Sequence, residues 1–209
     1  MADLSGESLL VMDWVEGIPL SDHEGLRAAG ADRGTLARAI LHAYGVMIFE
    51  ADRFHADPHP GNLIAVNPER LALVDFGEVG SVDPSERAAL WQMIGALLGR
   101  DTDALANAIR SVCRPTRDYD DAAFTGQLQS LVDDVTDVNR HDLRLGEVLL
   151  RLLRILRTYG MVLPSDMAVL IKTAVECEDT AMELDPSTSL LEMVGQLGLS
   201  PPADAKEAP

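Results

Sequence analysis

The sequence predicts a mainly α-helical fold of the α+β class, in which a few short strands are followed by a long helical region. Three short apolar runs, residues 9–15, 62–66 and 71–76, have the length and composition of strands. From residue 84 to about residue 197, apolar residues recur at the spacing that places them on one face of a helix. The chemically unusual residues are concentrated among the strands, so we expect the functional site there.

Each strand-like run is bounded by residues that interrupt regular structure. The run LLVMDW is followed by Gly17 and Pro19, and we predict a buried strand at about residues 9–15 followed by a linker. The runs NLIAV and LALVDF are joined by NPER, whose residues favour a turn. The pair is therefore predicted to form a β-hairpin.

The helical segments are marked by their apolar spacing and by one clear start signal. Residues 35–50 carry apolar side chains on one face, which predicts a core helix leading directly into the hairpin region. Asp83, Pro84 and Glu86 have the spacing of a helix N-terminus with a capping box. Two later segments also share apolar faces: Phe124, Leu128, Leu131, Val132 and Val135 in one, and Leu145, Val148, Leu149, Leu152, Ile155, Leu156 and Tyr159 in the other.

Length and charge limit the domain organisation and the class of partner. A chain of 209 residues can form one substantial core, and we expect one domain over residues 1–199 with a disordered, Pro- and Ala-rich tail over residues 200–209. The formal net charge is -17, from 34 acidic and 17 basic residues. This charge argues against a nucleic-acid partner and against strong attraction to anionic lipid.

Three features of the sequence bear on the cellular compartment of the protein. The first residues lack the basic segment and apolar stretch of a secretory signal. The most apolar helical segment contains Arg151, Arg154 and Arg157, which argues against a membrane span. Cys113 and Cys177 are far apart and fit neither a disulfide framework nor a zinc-ligand pattern. We expect a cytoplasmic protein.

The segment FHADPHPGN, residues 54–62, has two competing interpretations. His55, Asp57 and His59 alternate along the chain, as three metal ligands on one side of an extended segment would. Pro58 and Pro60 separate them, however, and no second cluster of His, Asp and Glu is present to complete a binuclear site. The metal-hydrolase interpretation is therefore the weaker of the two.

The second interpretation is a phosphoryl-transfer loop. Asp57 and Asn62 are five residues apart, the spacing between the catalytic aspartate and the metal-binding asparagine of kinase loops. Asp75, Phe76 and Gly77 follow at the end of the second hairpin strand, where kinases hold a Mg²⁺-binding aspartate. Each residue alone has an ordinary structural explanation, such as a turn or a helix cap. Their occurrence together, in kinase order, favours the functional interpretation.

The segment FHADPHPGNLIAVNPERLALVDFGEVG resembles the UbiB/AarF-type atypical kinases, a branch of the protein-kinase-like superfamily linked to ubiquinone and isoprenoid-lipid metabolism. The upstream LLVMDWVEGIPL is similar to the family's hinge strand and linker. The downstream LPSDMAVLIKTAVECEDTAMELDP is similar to its late helix. The resemblance covers residues 9–186 and implies the C-terminal lobe of a protein-kinase-like fold, with a hinge strand at about residues 9–15 and a catalytic loop and hairpin at residues 54–77.

The resemblance also implies roles for individual residues and a Mg²⁺·ATP cofactor. Asp57 would be the catalytic aspartate, and Asn62 and Asp75 would bind Mg²⁺. The adenine would contact the hinge, formed by Met12, Asp13, Trp14 and Val15. The residues expected to support the loop are His55, His59, Gly61, Phe76 and Gly77. Ala56 stands where ordinary kinases have the arginine that senses activation-loop phosphorylation, so a regulated peptide-docking platform is not expected.

Several parts of the implied family pattern are missing from this sequence. The Lys-x-Gly-Gln motif, the alanine-rich nucleotide loop and the paired strand lysine are not found, and the only lysines are Lys172 and Lys206. We therefore expect an N-terminal lobe or partner chain to be required, and the isolated chain to bind Mg²⁺·ATP weakly. The resemblance also implies a possible isoprenoid-lipid partner and peripheral membrane contact.

Two rival functions are compatible with the same residues. Small-molecule phosphotransferases of the aminoglycoside and choline kinase type share the His-x-Asp-x-x-x-x-Asn loop, but usually lack the late LPSD…LDP segment. A non-catalytic interaction module with retained site residues is the third alternative.

Overall fold

The computed structural model describes residues 2–67, 70–137 and 144–189. Helices dominate these residues, which confirms the mainly α-helical prediction. The helices are α1 (His23–Ala28), α2 (Arg33–Phe49), α3 (Pro84–Gly99), α4 (Thr102–Val112), α5 (Asp121–Asp137), α6 (Leu145–Thr158) and α7 (Ser165–Leu184). The expected tail over residues 200–209 and the end of the expected domain at residue 199 lie outside the described residues.

The strands of the described residues are short and form three small antiparallel sheets. They are β1 (Ile18–Pro19), β2 (Arg53–His55), β3 (Leu63–Asn67), β4 (Arg70–Leu73), β5 (Val79–Ser81), β6 (Arg114–Pro115) and β7 (Met161–Val162). The first sheet has the order β1-β3-β4, and the others are the pairs β2-β5 and β6-β7. The predicted hairpin is confirmed, with Leu63 paired to Leu73 and Ala65 to Leu71. The β2-β5 pair was not predicted.

The predicted strand at residues 9–15 is wrong. The strand of this region is the two-residue β1, in which Ile18 pairs with Ala65 and Pro19 with Ile64. A strand needs a neighbouring strand for its backbone N–H and C=O groups. Before β1, the β-type pairing of the described residues is limited to an isolated bridge between Gly6 and Leu9, and the Val11 backbone bonds to the Ser5 hydroxyl instead. The apolar side chains of the run are consequently exposed, with Trp14 at 88% and Leu10 at 76%.

The predicted core helix is confirmed as α2, and it packs against α7. Leu36, Ile40 and Tyr44 of α2 share a buried cluster with α7 residues, among them Cys177 and Ala181. Burial raises the pKa of the Cys177 thiol, which is therefore protonated and unreactive. The α2–α7 contact lies directly beneath the hairpin, because Leu63 and Ala65 of β3 belong to the same cluster.

Helices α3, α4, α5 and α6 contribute to a second cluster. The predicted capping box of α3 is confirmed: the Asp83 carboxylate accepts from the backbone N–H of Ser85 and Glu86, and the Glu86 carboxylate accepts from the Asp83 N–H. The predicted apolar face of α5 is buried in this cluster together with Val148, Leu152 and Leu156 of α6. The cluster members from α5 are Phe124, Leu128, Leu131, Val132 and Val135.

A cavity of about 100 Å³ lies among these helices. It is lined by apolar residues, including Ile48 of α2, Met93 of α3, Leu152 of α6, and Met167 and Ala174 of α7. Helices α2 and α7 therefore both contribute to the cavity wall. Within the described part of the chain, no helix has the length and apolar character needed to cross a membrane.

The β2-β5 pair depends on a close approach between Gly80 and Phe54. The two residues are directly paired, and the buried Phe54 ring covers Gly80. A Cβ atom on Gly80 would lie 2.2 Å from Phe54 Cζ, a separation that no real Cβ contact tolerates. Only glycine fits here without displacing the ring.

We predict that Gly80→Ala lowers the free energy of unfolding by about 1–3 kcal/mol, because the Phe54 ring must move out of a packed site. Urea denaturation followed by circular dichroism measures this. Gly95→Ala is the matched control, since Gly95 lies in α3 with open space around it and alanine there favours the helix. Equal effects of the two substitutions would contradict the packing account.

Candidate functional site

The side chain of His55 is buried beneath the site and uses both ring nitrogens. It is only 1% exposed. Nδ1 accepts a hydrogen bond from the Asp57 backbone N–H at 3.2 Å, and Nε2 lies 3.0 Å from the Val74 carbonyl oxygen. Nε2 therefore carries the proton, and the ring is in the neutral Nε2–H form. The Tyr44 hydroxyl lies 3.4 Å from Nδ1.

Tyr44 of α2 lies beside His55 in the interior, and no sequence motif indicated it as part of the site. Burial raises the pKa of Tyr44 well above its ordinary value, so its hydroxyl remains protonated. The hydroxyl lies beside Nδ1, whose one lone pair already accepts from the Asp57 N–H. The position of Tyr44 was predictable only as part of the apolar face of α2.

Asp57 and Asn62 are brought together by the loop that follows β2. The Asn62 side-chain Nδ2 donates to Asp57 Oδ2 at 2.9 Å and to the Asp57 carbonyl oxygen at 3.3 Å. A 3-10 turn at Pro60–Asn62 brings the Asn62 side chain back to Asp57. His59 caps the N-terminus of this turn, because its Nδ1 accepts from the Gly61 N–H. Because Nδ2 faces Asp57, the amide oxygen of Asn62 is directed elsewhere and is the atom that could bind a cation.

Val74 connects this pair to the third acidic residue. The Val74 N–H donates to the Asn62 carbonyl oxygen at 2.9 Å, and the Val74 carbonyl oxygen accepts a hydrogen bond from His55 Nε2. Val74 is therefore held at both its N–H and its C=O group, one residue before Asp75. These bonds link the position of Asp75 to the Asp57–Asn62 pair, which is joined by its own side-chain hydrogen bond.

Asp75 lies beyond the end of β4 in a left-handed conformation, with φ at 60°. Aspartate tolerates this region better than most residues. The Gly77 N–H donates to Asp75 Oδ1 at 3.3 Å, closing a small turn, and the exposed Phe76 ring packs edge-on against His55 with centroids 4.8 Å apart. The turn leaves Asp75 exposed and leads into β5, which pairs with β2.

The loop is also held from α7, by two threonines that no motif indicated. Thr173 and Thr180 are buried, and their hydroxyls donate to the carbonyl oxygens of Ala56 and Pro58 at 3.3 and 3.1 Å. In sequence they lie more than 110 positions from the loop. Their apolar-face spacing on a helix was the only available signal.

The donor atoms of the site suit a hard cation better than zinc. Both His55 nitrogens are engaged, and His59 Nδ1 is occupied by the Gly61 N–H. Within the described ranges, no three His, Cys, Asp or Glu side chains gather as a metal centre. Apart from Nε2 of the exposed His59, the remaining donors are two carboxylates and an amide oxygen. Mg²⁺ is typically held by one or two carboxylates completed by phosphates and water.

The four residues expected to contact adenine lie in the exposed segment before β1. Met12, Asp13 and Trp14 are exposed and Val15 is half-buried, and the segment belongs to none of the three sheets. The structure therefore places them outside the hydrogen-bonded network that joins Asp57, Asn62 and Asp75.

Two family models match this chain. The ABC1 atypical kinase-like domain matches residues 1–109, and the UbiB helical domain matches residues 128–189. The chain belongs to the UbiB/AarF-type family of atypical kinase-like proteins. The first match ends within α4 and the second begins within α5, so the Asp57 loop and α7 belong to different family segments.

Two curated relatives are similar over most of this chain. The uncharacterized protein sll0005 of Synechocystis sp. is 28% identical over 187 residues, which is 90% of this chain and 28% of that protein. The uncharacterized protein slr1919 of the same organism is 26% identical over 189 residues, or 90% of this chain and 33% of that protein. The chain therefore spans about a third or less of the length of these relatives.

We predict that His55→Leu lowers the free energy of unfolding by about 2–4 kcal/mol, because it leaves the Asp57 N–H and the Val74 carbonyl without their buried partner. Chemical denaturation is the measurement. His42→Ala serves as control, since His42 is exposed on α2 and should change stability by less than about 0.5 kcal/mol. A His55→Leu protein as stable as the wild type would contradict the bonding described for the ring.

Proposed function

We propose that this chain is the C-terminal, Mg²⁺·ATP-binding lobe of a UbiB/AarF-type atypical kinase or ATPase. The observation that carries the proposal is the Asp57–Asn62 side-chain pair, joined through Val74 to Asp75. Three hard oxygen donors held by one loop and one hairpin match what phosphoryl transfer requires. Membership of the atypical kinase-like family supports the same chemistry.

Each residue has a distinct role in this proposal. Asn62 and Asp75 hold Mg²⁺ through their oxygen atoms, and Asp57 orients the attacking hydroxyl or water and accepts its proton. When bound, the cation neutralises charge on the phosphates. His55 does not exchange protons with substrate, because both of its nitrogens are used to fix the loop.

The charge of the protein implies that the nucleotide binds only together with its cation. The formal net charge is -17, and the site itself is acidic, so an uncomplexed polyphosphate would be repelled. Of the two lysines in the sequence, Lys172 is paired with Glu176 on α7. Mg²⁺ therefore supplies positive charge to the phosphates at this acidic site.

A second lobe or partner chain completes the nucleotide site in this proposal. Met12, Asp13, Trp14 and Val15 would contact the adenine once that lobe packs against them. The exposed apolar side chains of Leu10 and Trp14 support this, because large apolar surfaces of this kind commonly mark contacts with other protein surfaces. The short span of the chain relative to its relatives is consistent with such an arrangement.

The phosphoryl acceptor is proposed to be water or a small molecule, with ubiquinone or isoprenoid-lipid metabolism as the setting. Ala56 occupies the position of the phosphorylation-sensing arginine, and only six residues separate Gly77 from the start of α3 at Pro84. This leaves no extended segment for docking a peptide. A cytoplasmic protein with peripheral membrane contact would fit this setting.

A non-catalytic interaction module is the second candidate function. The exposed apolar segment before β1 favours it, because that segment suits a protein partner whether or not nucleotide is bound. Binding of Mg²⁺·ATP distinguishes the two candidates.

We predict that Asp75→Asn abolishes the binding of Mg²⁺·ATP, because it removes one of the two carboxylates available to the cation, while the exposed position leaves the fold intact. Isothermal titration calorimetry on both proteins measures this. The chain by itself should bind more weakly than micromolar, since in this proposal a second lobe or partner chain supplies part of the nucleotide site. Removal of Mg²⁺ by a chelator should abolish binding altogether.

Asp103→Asn is the matched control, because Asp103 is an exposed aspartate on α4 away from the loop. It should bind as the wild type does. Equal binding by Asp75→Asn and wild type would contradict the metal role of Asp75. Micromolar wild-type affinity would contradict the need for a second lobe, and phosphorylation of an aminoglycoside or choline would favour the small-molecule phosphotransferases.

A further inference from the structure

One face of α7 carries two buried hydroxyl groups two helical turns apart. Thr173 is 0% exposed and Thr180 is 6% exposed, and their separation of seven residues places them on the same side of the helix. Cys177 lies between them on that side and is also fully buried. The two hydroxyls share this side of the helix with the half-buried Glu176, three residues after Thr173.

Both hydroxyls are directed away from their own helix. A threonine within a helix commonly donates to the carbonyl four residues earlier. Thr173 instead donates to the carbonyl oxygen of Ala56 at 3.3 Å, and Thr180 to that of Pro58 at 3.1 Å. The two acceptors belong to the residues immediately before and after Asp57, so α7 holds the peptide group that precedes Asp57 and the one that follows Pro58.

The loop has few other ways to hold these carbonyl groups. Pro58 and Pro60 have no backbone N–H, and residues 56–59 lie outside the strands. The Asp57 N–H is committed to His55, and the Ala56 N–H to the Glu78 carbonyl. The carbonyls of Ala56 and Pro58 need donors from another segment, and the two threonines provide them.

We propose that Thr173 and Thr180 are positioning residues for Asp57, which fix the orientation of its carboxylate toward Asn62 and toward the bound nucleotide. The functional part of this inference rests on the proposed Mg²⁺·ATP site. The two hydrogen bonds from α7 to the loop do not depend on that site. Through them α7, which lies in the segment matched by the UbiB helical domain, directly determines the geometry of a loop in the ABC1 segment.

The test uses Thr173→Val and Thr180→Val, which keep the size of the side chain and remove the hydroxyl. Hydrogen–deuterium exchange of the amides in residues 56–62 reports on the loop without any nucleotide. We expect each substitution to accelerate exchange in these residues about fivefold, the effect of losing one ordinary hydrogen bond. The affinity for Mg²⁺·ATP should fall by a similar factor. Thr173→Ser and Thr180→Ser should restore both values, because serine retains the donor.

Thr102→Val is the matched control. Thr102 is another buried threonine, and its hydroxyl donates to Gln129 at 2.8 Å between α4 and α5. Its loss should destabilise the protein without changing exchange in residues 56–62. Unchanged loop exchange in both valine variants, the same change in Thr102→Val, or failure of serine to restore it would overturn the anchoring.

The two proposals fail differently. Faster loop exchange with unaltered Mg²⁺·ATP affinity would overturn the positioning role. Wild-type protein that binds no Mg²⁺·ATP would refute the proposed function and the positioning role with it, while the exchange data would still decide whether the threonines anchor the loop.

Discussion

The buried imidazole of His55 connects the loop that carries it to the segment of residues 74–76. It receives the Asp57 N–H from its own loop, it donates to the Val74 carbonyl before Asp75, and it packs against the Phe76 ring. A neutral ring with one donor and one acceptor can satisfy both peptide groups at once, whereas a charged ring cannot accept. The geometry of Asp57 and Asp75 therefore depends on one side chain that need not contact substrate.

A second layer of support comes from the helices below the hairpin. Tyr44 on α2 approaches His55, and Thr173 and Thr180 on α7 hold the carbonyls beside Asp57. Because α2 and α7 pack against each other through a common apolar cluster, these polar contacts are set by the core rather than by the exposed loop. A rigid base of this kind suits chemistry in which positioning supplies much of the rate.

Much of the candidate site could be predicted from the sequence because its signals are local. The spacing of Asp57 and Asn62, the hairpin and the Asp83 capping box each depend on residues within a few positions of one another. Thr173 and Thr180 were missed because their partners lie more than 110 positions away. The strand at residues 9–15 was wrong for a related reason: its apolar composition suits a strand, but pairing depends on a neighbour that composition does not reveal.

The central claim is that Asp57, Asn62 and Asp75 act together as one Mg²⁺·nucleotide site. Replacing Mg²⁺ by paramagnetic Mn²⁺ tests it directly, with nuclear magnetic resonance of the isotope-labelled chain in the presence of ATP. The account predicts selective line broadening of the Asn62 side-chain amide and of the backbone amides around Asp57 and Asp75, dependent on ATP. Broadening that requires no nucleotide, or that centres on acidic surface residues such as Asp103, would contradict it.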